Sequence, residues 1–280
     1  KLDFRTTFLR TDTWAGMIAT APNVRGLVSD GAAAVAAFGM MPATHRGQHA
    51  QCWQGQFDSY IRSIGRGFVN GGAPRAVLRL GWEANRLNGF PWAVTGDGSD
   101  YKRCFRRWVS ILRTVPGQRF IIDWNMQDKS VFPPDQMYPG NDVVNIIGIN
   151  VYDRCRPVRT QAQYDFWMNA KHKDGRNPRG PKSWVEFARQ RGKKLSIPEW
   201  GVGGPSVVKA CAEPGFDNPM FVRNWHAFLS ANAGILAYEG YFNAHGYTND
   251  SQGSHKLAPT IYNPQSSAVY KALWSPRPPS

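Results

Sequence analysis

The feature that most constrains this chain is a series of apolar runs that do not alternate with polar residues. They are Ala76–Leu80, Phe120–Trp124, Val143–Tyr152, Leu195–Glu199 and Ile235–Phe242. A half-exposed strand alternates with period two, whereas a strand covered on both faces reads as a continuous apolar run. Between the runs lie amphipathic stretches with helical spacing. Phe57–Val69 places Phe57, Tyr60, Ile61, Ile64 and Phe68 on one stripe, and Tyr101–Val115 does the same with Phe105, Trp108, Ile111, Leu112 and Val115. Trp184–Arg191 and Pro219–Ser230 read alike. Buried strands alternating with helices over the whole length predict an α/β fold with a parallel sheet. No glycine-rich dinucleotide fingerprint follows any run and no P-loop is present, which favours a (β/α)8 TIM barrel over a doubly wound sheet. The first 45 residues are harder to read, and Trp14–Ala19, Gly26–Val28 and Ala36–Met40 are the candidate early strands there.

At 280 residues and 42% hydrophobic content the chain is expected to form one barrel domain over residues 1–280, with 275–280 as a frayed tail. No run approaches a membrane span, and Lys1-Leu2-Asp3 has no signal-peptide character. The four cysteines, Cys52, Cys104, Cys155 and Cys211, form no CxxC pair. An even count in a chain with 11 tryptophans suits an exported protein, secreted or periplasmic. Sequence does not choose among the three possible pairings.

The formal net charge is +14. It fits either a solvated basic surface or a polyanionic partner such as an acidic polysaccharide. The densest cations, Lys102-Arg103 with Arg106-Arg107 and Arg189 to Lys194, sit on or at the ends of helical stretches. No zinc finger, RNP-like motif or heptad array is present, so a dedicated nucleic-acid reader is not expected. A monomer is expected.

Five glutamates occur in the chain: Glu83, Glu186, Glu199, Glu213 and Glu239. Glu186 and Glu213 fall in a helical stretch and a loop. Glu83 and Glu199 each end a buried run next to a tryptophan, and strand C-termini form the active-site face of a parallel barrel. Two carboxylates on that face suit glycoside hydrolysis, which needs a proton donor for the leaving oxygen and a second carboxylate. Glu83, beside the Trp82 indole, fits the acid. Glu199, within reach of Tyr152, fits the ionised partner. The structural alternatives are an ion pair of Glu83 with Arg79 and a loop carboxylate at Glu199. Trp14, Trp53, Trp92, Trp124 and Trp200 near run ends are candidates for sugar stacking. Arg79, Asn85, His45 and Asn243, with His245, are candidate polar contacts. His45 and His49 are four apart, but Pro42 and Gly47 indicate a loop, so no metal site is expected. Glu239 lies on the last run, either as a core ion pair or as a residue reaching the site.

The segments FDSYIRSIGRGFVNGGAPRAVLRLGWEANRLNGFPWAV, FIIDWN, YPGNDVVNIIGINVYD, LSIPEWGVGG, DNPMFVRNW and EGYFN resemble clan A glycoside hydrolases, most of all family 26, the β-mannanase-like enzymes. The resemblance spans about residues 55 to 245, and the two glutamates are 199 − 83 = 116 residues apart. It implies a (β/α)8 barrel without cofactor and a retaining mechanism, with Glu83 as acid/base on strand 4 and Glu199 as nucleophile on strand 7. It further implies a Tyr152 hydrogen bond to the nucleophile and Trp124 on the glycone side. Two departures stand out from the family's Arg-Pro-x-His-Glu-x-Asn-Gly pattern. Trp82 replaces the histidine before the acid, and Arg86-Leu87 intervenes before Asn88-Gly89. These departures speak against plain β-mannan as substrate and point to an acidic exopolysaccharide or a mannose-containing polymer. A non-catalytic carbohydrate-binding barrel, a transglycosylase with the same residues and a basic polyanion-binding protein are the other readings.

Overall fold

A computed structural model of the chain describes residues 4–28, 31–86, 89–129, 132–153, 157–203, 215–244, 255–258 and 262–275. Seven parallel strands form one sheet in chain order: β1 (Phe4–Phe8), β2 (Ala33–Phe38), β3 (Val77–Leu80), β4 (Ile121–Gln127), β5 (Ile146–Asp153), β6 (Lys194–Val202) and β7 (Leu236–Tyr241). Among the described residues ten α-helices surround it: α1 (Trp14–Thr20), α2 (Arg25–Val28), α3 (His49–Trp53), α4 (Asp58–Asn70), α5 (Ser99–Arg113), α6 (Pro134–Met137), α7 (Gln161–Met168), α8 (Pro181–Gln190), α9 (Pro219–Ala231) and α10 (Pro264–Trp274). The sheet curls into a nearly closed barrel, with the Phe4 ring of β1 stacked on Tyr238 of β7 at 4.9 Å between centroids. The fold is a (β/α)8-like barrel. None of the described helices is long and apolar enough to cross a membrane.

Side-chain parity divides the strands between two cores. Outward residues such as Leu78, Trp124, Ile147, Ile149 and Leu195 are buried against the helices. Inward residues at the lower end, Val35, Val77, Ile146 and Tyr238, form a small apolar plug with Phe4 and Ile121 packed against it. Above the plug the inward positions turn polar: Arg79 on β3, Asp123, Asn125 and Gln127 on β4, Asn150 and Tyr152 on β5, Ser196 and Glu199 on β6. Gly148 sits among them, where a Cβ would fall 2.5 Å from Asp123 Oδ1 and 2.7 Å from Ser196 Oγ. Only glycine lets these side chains approach the strand that closely.

The helices expected from periodicity are present as α4, α5, α8 and α9. Ile61, Ile64 and Phe68 of α4 are fully buried. Their removal from water contributes about 1.5–3 kcal/mol each. Tyr60 of the expected stripe lies at its edge, 39% exposed. Cys52 on α3 and Cys104 on α5 form a disulfide; Cys155 and Cys211 lie outside the described residues.

The early segment needs three corrections. Trp14–Ala19 is helical, because Thr13 caps α1 by accepting from Gly16 N at 3.0 Å. Gly26–Val28 belongs to the short helix α2. The strand near Ala36–Met40 starts earlier, at Ala33, and ends at Phe38. The strand β1 was not legible: FRTTF is half polar and too short to stand out.

Candidate active site

The chain leaves β3 through two left-handed residues, Gly81 at φ 59° and Glu83 at φ 52°. Glu83 is the one non-glycine with positive φ among the described residues. A left-handed conformation costs a non-glycine residue about 1–2 kcal/mol, and it is retained here by flanking bonds. Gly81 N donates to Phe38 O at 2.8 Å and Glu83 N to Asn125 O at 2.8 Å, which keeps the segment stitched between β2 and β4. At Gly81 an added Cβ would also press on Met40 Cγ at 3.0 Å. The strained turn aims the Glu83 carboxylate over the barrel mouth. There it accepts from Asn150 Nδ2 at 2.9 Å and from Gln127 Nε2 at 3.2 Å. Arg86 approaches the second oxygen at 4.0 Å.

Glu199 reaches the same mouth by a different device. Gly148 pairs with Ser196, but Asn150 pairs with Glu199, so two steps on β5 face three on β6. This bulge, centred on Ile197-Pro198, resets the parity, and Ser196 and Glu199 both point inward. Proline, lacking an N–H, is tolerated in a strand at such a bulge. Both Glu199 oxygens are held: Arg79 Nη2 donates to Oε1 at 2.5 Å and the Tyr152 hydroxyl to Oε2 at 2.7 Å. These donors, one of them a cation, fix the position of both carboxylate oxygens.

Arg79 is fully buried and organises the centre. Its Nη2 also donates to Asn125 Oδ1 at 2.7 Å and to Asn150 Oδ1 at 3.2 Å. Asn150 therefore accepts from the arginine that holds Glu199 while donating to Glu83, and one amide links the two carboxylates. Burial on its own would depress the Arg79 pKa, but the charge and hydrogen bond of Glu199, together with Tyr238 and Asp123, outweigh it and hold the pKa above its ordinary value. Below Arg79, Asp123 is fully buried and accepts from Ser196 Oγ at 2.6 Å and the Tyr238 hydroxyl at 2.5 Å. Burial pushes its pKa up to about 6 against the pull of those donors and of Arg79.

The structure separates the expected site residues into two groups. Glu83, Glu199, Arg79 and Tyr152 converge. Arg79 pairs with Glu199, not with Glu83 as the structural alternative had it. The other candidates are placed elsewhere. Trp124 is fully buried against Tyr138, Trp184 and Phe187 in the helix layer. Trp200 is fully buried among Trp225, Tyr241 and Trp274. Neither can line a sugar site, because Trp124 lies between the inward Asp123 and Asn125 and Trp200 follows the inward Glu199, and neighbours on a strand face opposite ways. Trp92 is also fully buried and donates to Trp82 O at 2.9 Å, while Trp82 packs at 4.5 Å on its ring. Trp14 joins Phe57 and Tyr60 in the helix layer, and Trp53 donates to Asp100 at 2.9 Å. Asn85 is a brace, exchanging two hydrogen bonds of 2.9 Å with the Gln127 backbone. Asn243 is spent on the backbone of Leu257 and Ala258. His45 bonds Thr44 at 2.8 Å and packs on Trp14 and Phe57. His245 and Glu213 lie outside the described residues. Glu239 points outward and accepts from the indoles of Trp200 at 2.5 Å and Trp274 at 2.9 Å, so it anchors α10 and does not reach the mouth.

The residues that sequence reading missed are the amides Asn125, Gln127 and Asn150 and the buried Asp123. A signal for them existed: in IIDWNMQ the polar residues fall on every second position, and Asn150 keeps parity with Tyr152.

No family model matches the chain, and no curated protein matches it. Solved structures do. A ruminal GH26 endo-β-1,4-mannanase superposes with TM-score 0.59 at 14% identity, over 98% of this chain and 56% of that one. GH26C from Muricauda sp. MAR_2010_75 gives 0.58 at 15%, over 85% and 70%. The catalytic domain of the Bacillus sp. JAMB-750 GH26 endo-β-1,4-mannanase gives 0.57 at 16%, over 92% and 69%. The chain shares their barrel fold. Glu83 and Glu199 lie three strands apart, the interval that the resemblance implies. Among the described residues they belong to the third and sixth strands, one lower than that count.

Proposed function

We propose that the protein is a retaining endo-β-glycosidase that hydrolyses a β-linked polysaccharide, with Glu83 as acid/base and Glu199 as nucleophile. The observation that carries this reading is the pair itself. Two carboxylates from different strands meet at the barrel mouth, linked through Asn150, and are held in unlike surroundings. A buried arginine at 2.5 Å and a phenol hold Glu199; two neutral amides bond Glu83, with the half-exposed Arg86 at 4.0 Å. Carboxyls in unlike environments can divide the acid and nucleophile roles.

In the first step a Glu199 oxygen attacks the anomeric carbon and forms a glycosyl ester. The bond from that carbon to the leaving oxygen breaks, and Glu83 gives its proton to that oxygen. In the second step Glu83, now ionised, takes a proton from water. The hydroxyl attacks the anomeric carbon, and the ester breaks to restore the Glu199 carboxylate. Tyr152 and Arg79 hold the Glu199 carboxylate before its attack and again once the ester breaks. The water-facing acid stays in place because Asn150 and Gln127 fix both its oxygens. The solved structures with the same barrel bear the names of β-mannanases and, at TM-score 0.56 and 11% identity, of fungal β-1,4-galactanases. Both classes act on β-linked chains, which supports the substrate class.

A second role for the basic surface is disfavoured on α5. Arg106 pairs with Asp142 at 2.7 Å, Arg103 with Asp100 at 3.7 Å and Arg107 with Asp58. That helix is not a free cationic face for nucleic acid.

The test is reducing-end release from a panel of neutral and acidic β-linked polysaccharides. Wild type is expected to cleave at least one, Glu199→Ala none, and Glu83→Ala about 10²–10⁴-fold more slowly. Full activity in Glu199→Ala would contradict the assignment.

A further inference from the structure

Beside the space between the glutamates lies a cleft of about 1050 Å³. Tyr152, whose hydroxyl holds Glu199, forms part of its wall. The cleft runs from there along α7, past Phe166 and Trp167, to Lys129, Lys171 and Arg179.

Its lining is built. The Trp167 indole is fixed by donating to Asp128 Oδ2 at 3.0 Å, and Lys129 Nζ sits 5.9 Å from the ring. Phe166 is 82% exposed, the most exposed of the large hydrophobic residues described. Lys171 and Arg179 stand on the two legs of a small hairpin. Its legs meet at the Lys171–Pro178 bridge and at the bond from Gly180 N to Ala170 O, 2.8 Å. Asp174 closes the turn, accepting from the backbone N–H groups of Arg176 and Asn177 at 2.9 Å each and from Asn177 Nδ2 at 2.7 Å.

Charge follows the same lines. Residues 171–182 carry five cations, Lys171, Lys173, Arg176, Arg179 and Lys182, and one acid, Asp174, which the turn uses. Of the acids in the cleft wall, Asp153 is buried and bonded to Val158 N at 2.8 Å and Asn218 Nδ2 at 2.7 Å, and Asp165 accepts from Gln161 at 3.0 Å. Lys171 reaches Glu186 at 3.6 Å, a solvent-exposed contact of the weak kind. No ion pair engages Lys129 or Arg179 among the described residues. Arg103, Arg106 and Arg107 of α5 are ion-paired, whereas Lys129 and Arg179 in the cleft wall have no such partner among the described residues.

We propose that the cleft is a subsite for an acidic sugar residue of the substrate chain. Trp167 and Phe166 take the apolar C–H face of the ring, and Lys129, Lys171 and Arg179 take its carboxylate. An aromatic wall with few polar anchors is how sugar sites are built. A guanidinium adds planar, two-point recognition of a carboxylate. The proposal rests on the glycosidase reading of the adjacent centre, since it places the acidic residue on the same chain that Glu83 and Glu199 cleave.

Two probes differ only in the group at C6: a β-1,4-linked mannuronate hexamer and β-1,4-mannohexaose. Calorimetric titration of the Glu83→Gln protein, which leaves Arg79 paired, measures binding with turnover suppressed. The mannuronate is expected to bind at least tenfold more tightly at 50 mM salt, with the advantage shrinking several-fold at 500 mM. In Glu83→Gln carrying Lys129→Gln and Arg179→Gln the ratio is expected to fall below threefold. Trp167→Ala is expected to weaken both probes alike. Equal affinity for the two, no binding of either, or a preference that survives the paired substitution overturns the proposal. Wild-type turnover is scored separately. The preference without cleavage of any polymer removes the glycosidase reading and leaves the binding subsite. Cleavage without the preference does the reverse.

Discussion

At the scale of single residues, the centre is a chain of dependence with Arg79 in the middle. It is buried, charged and hydrogen-bonded to Asn125, Asn150 and Glu199 at once. Tyr152 contributes one bond to the same carboxylate, and its loss can be read cleanly. Tyr152→Phe is expected to lower kcat about 10–100-fold, the worth of a hydrogen bond to a charged group of about 1.5–3 kcal/mol, while the urea unfolding midpoint stays near wild type because the residue is only half-buried. Asp123 yields a pH prediction. Its folded pKa of about 6 lies above its ordinary value of 3.8, so the native state binds this proton more tightly than the unfolded chain. The stability it contributes is full below about pH 4 and is lost as pH rises through 6, on the order of 3 kcal/mol in total. Urea midpoints measured from pH 4 to 7 are expected to show this downward contribution in wild type and to lose it in Asp123→Asn. An unchanged slope in the variant would remove Asp123 from the account.

At the scale of elements, two local irregularities deliver the carboxylates, and the sequence showed each only in part. Gly81 is visible as a turn signal after Ala76–Leu80, but nothing in the chain announces that Glu83 itself adopts positive φ. That conformation is imposed by the bonds to Phe38 and Asn125 on neighbouring strands. Pro198 interrupts β6 and marks the bulge, but its effect on parity follows only from the pairing with β5. Helices α4 and α5 are legible because a whole apolar stripe repeats over three or four turns, whereas the seven residues of α1 offer too few turns for the period to show and read as a strand. The tryptophans misled for a related reason. Proximity to a strand end was used where side-chain parity was decisive, and parity sends Trp124 and Trp200 into the helix layer. Among these elements α3 and α5 are tied by Cys52–Cys104, which closes a loop of 52 residues. Cys52→Ser with Cys104→Ser is expected to cost about 2–4 kcal/mol, seen as a lower Tm, with turnover at 25 °C little changed because neither cysteine touches the mouth.

At the scale of the whole molecule, the barrel does what its parallel sheet requires: it collects the C-terminal ends of its strands at one mouth and buries the rest. Strand–helix alternation made that architecture readable from sequence, and with it the two glutamates at the ends of buried runs. The amide lattice that joins them was hidden, because Asn125, Gln127 and Asn150 come from two strands and acquire meaning only where those strands run side by side. The distribution of the +14 charge was likewise invisible in composition. Arg103, Arg106 and Arg107 on α5 are ion-paired, whereas among the described residues Lys129 and Arg179 of the α7 cleft have no such partner, a distinction only the folded chain makes. The central claim, a double displacement through Glu199, is tested most directly by the configuration of the first sugar released. On a polymer that the protein cleaves, proton NMR of the fresh reducing ends, recorded before mutarotation, is expected to show the β-anomer first. Initial release of the α-anomer would mean a single displacement by water and would contradict Glu199 as nucleophile.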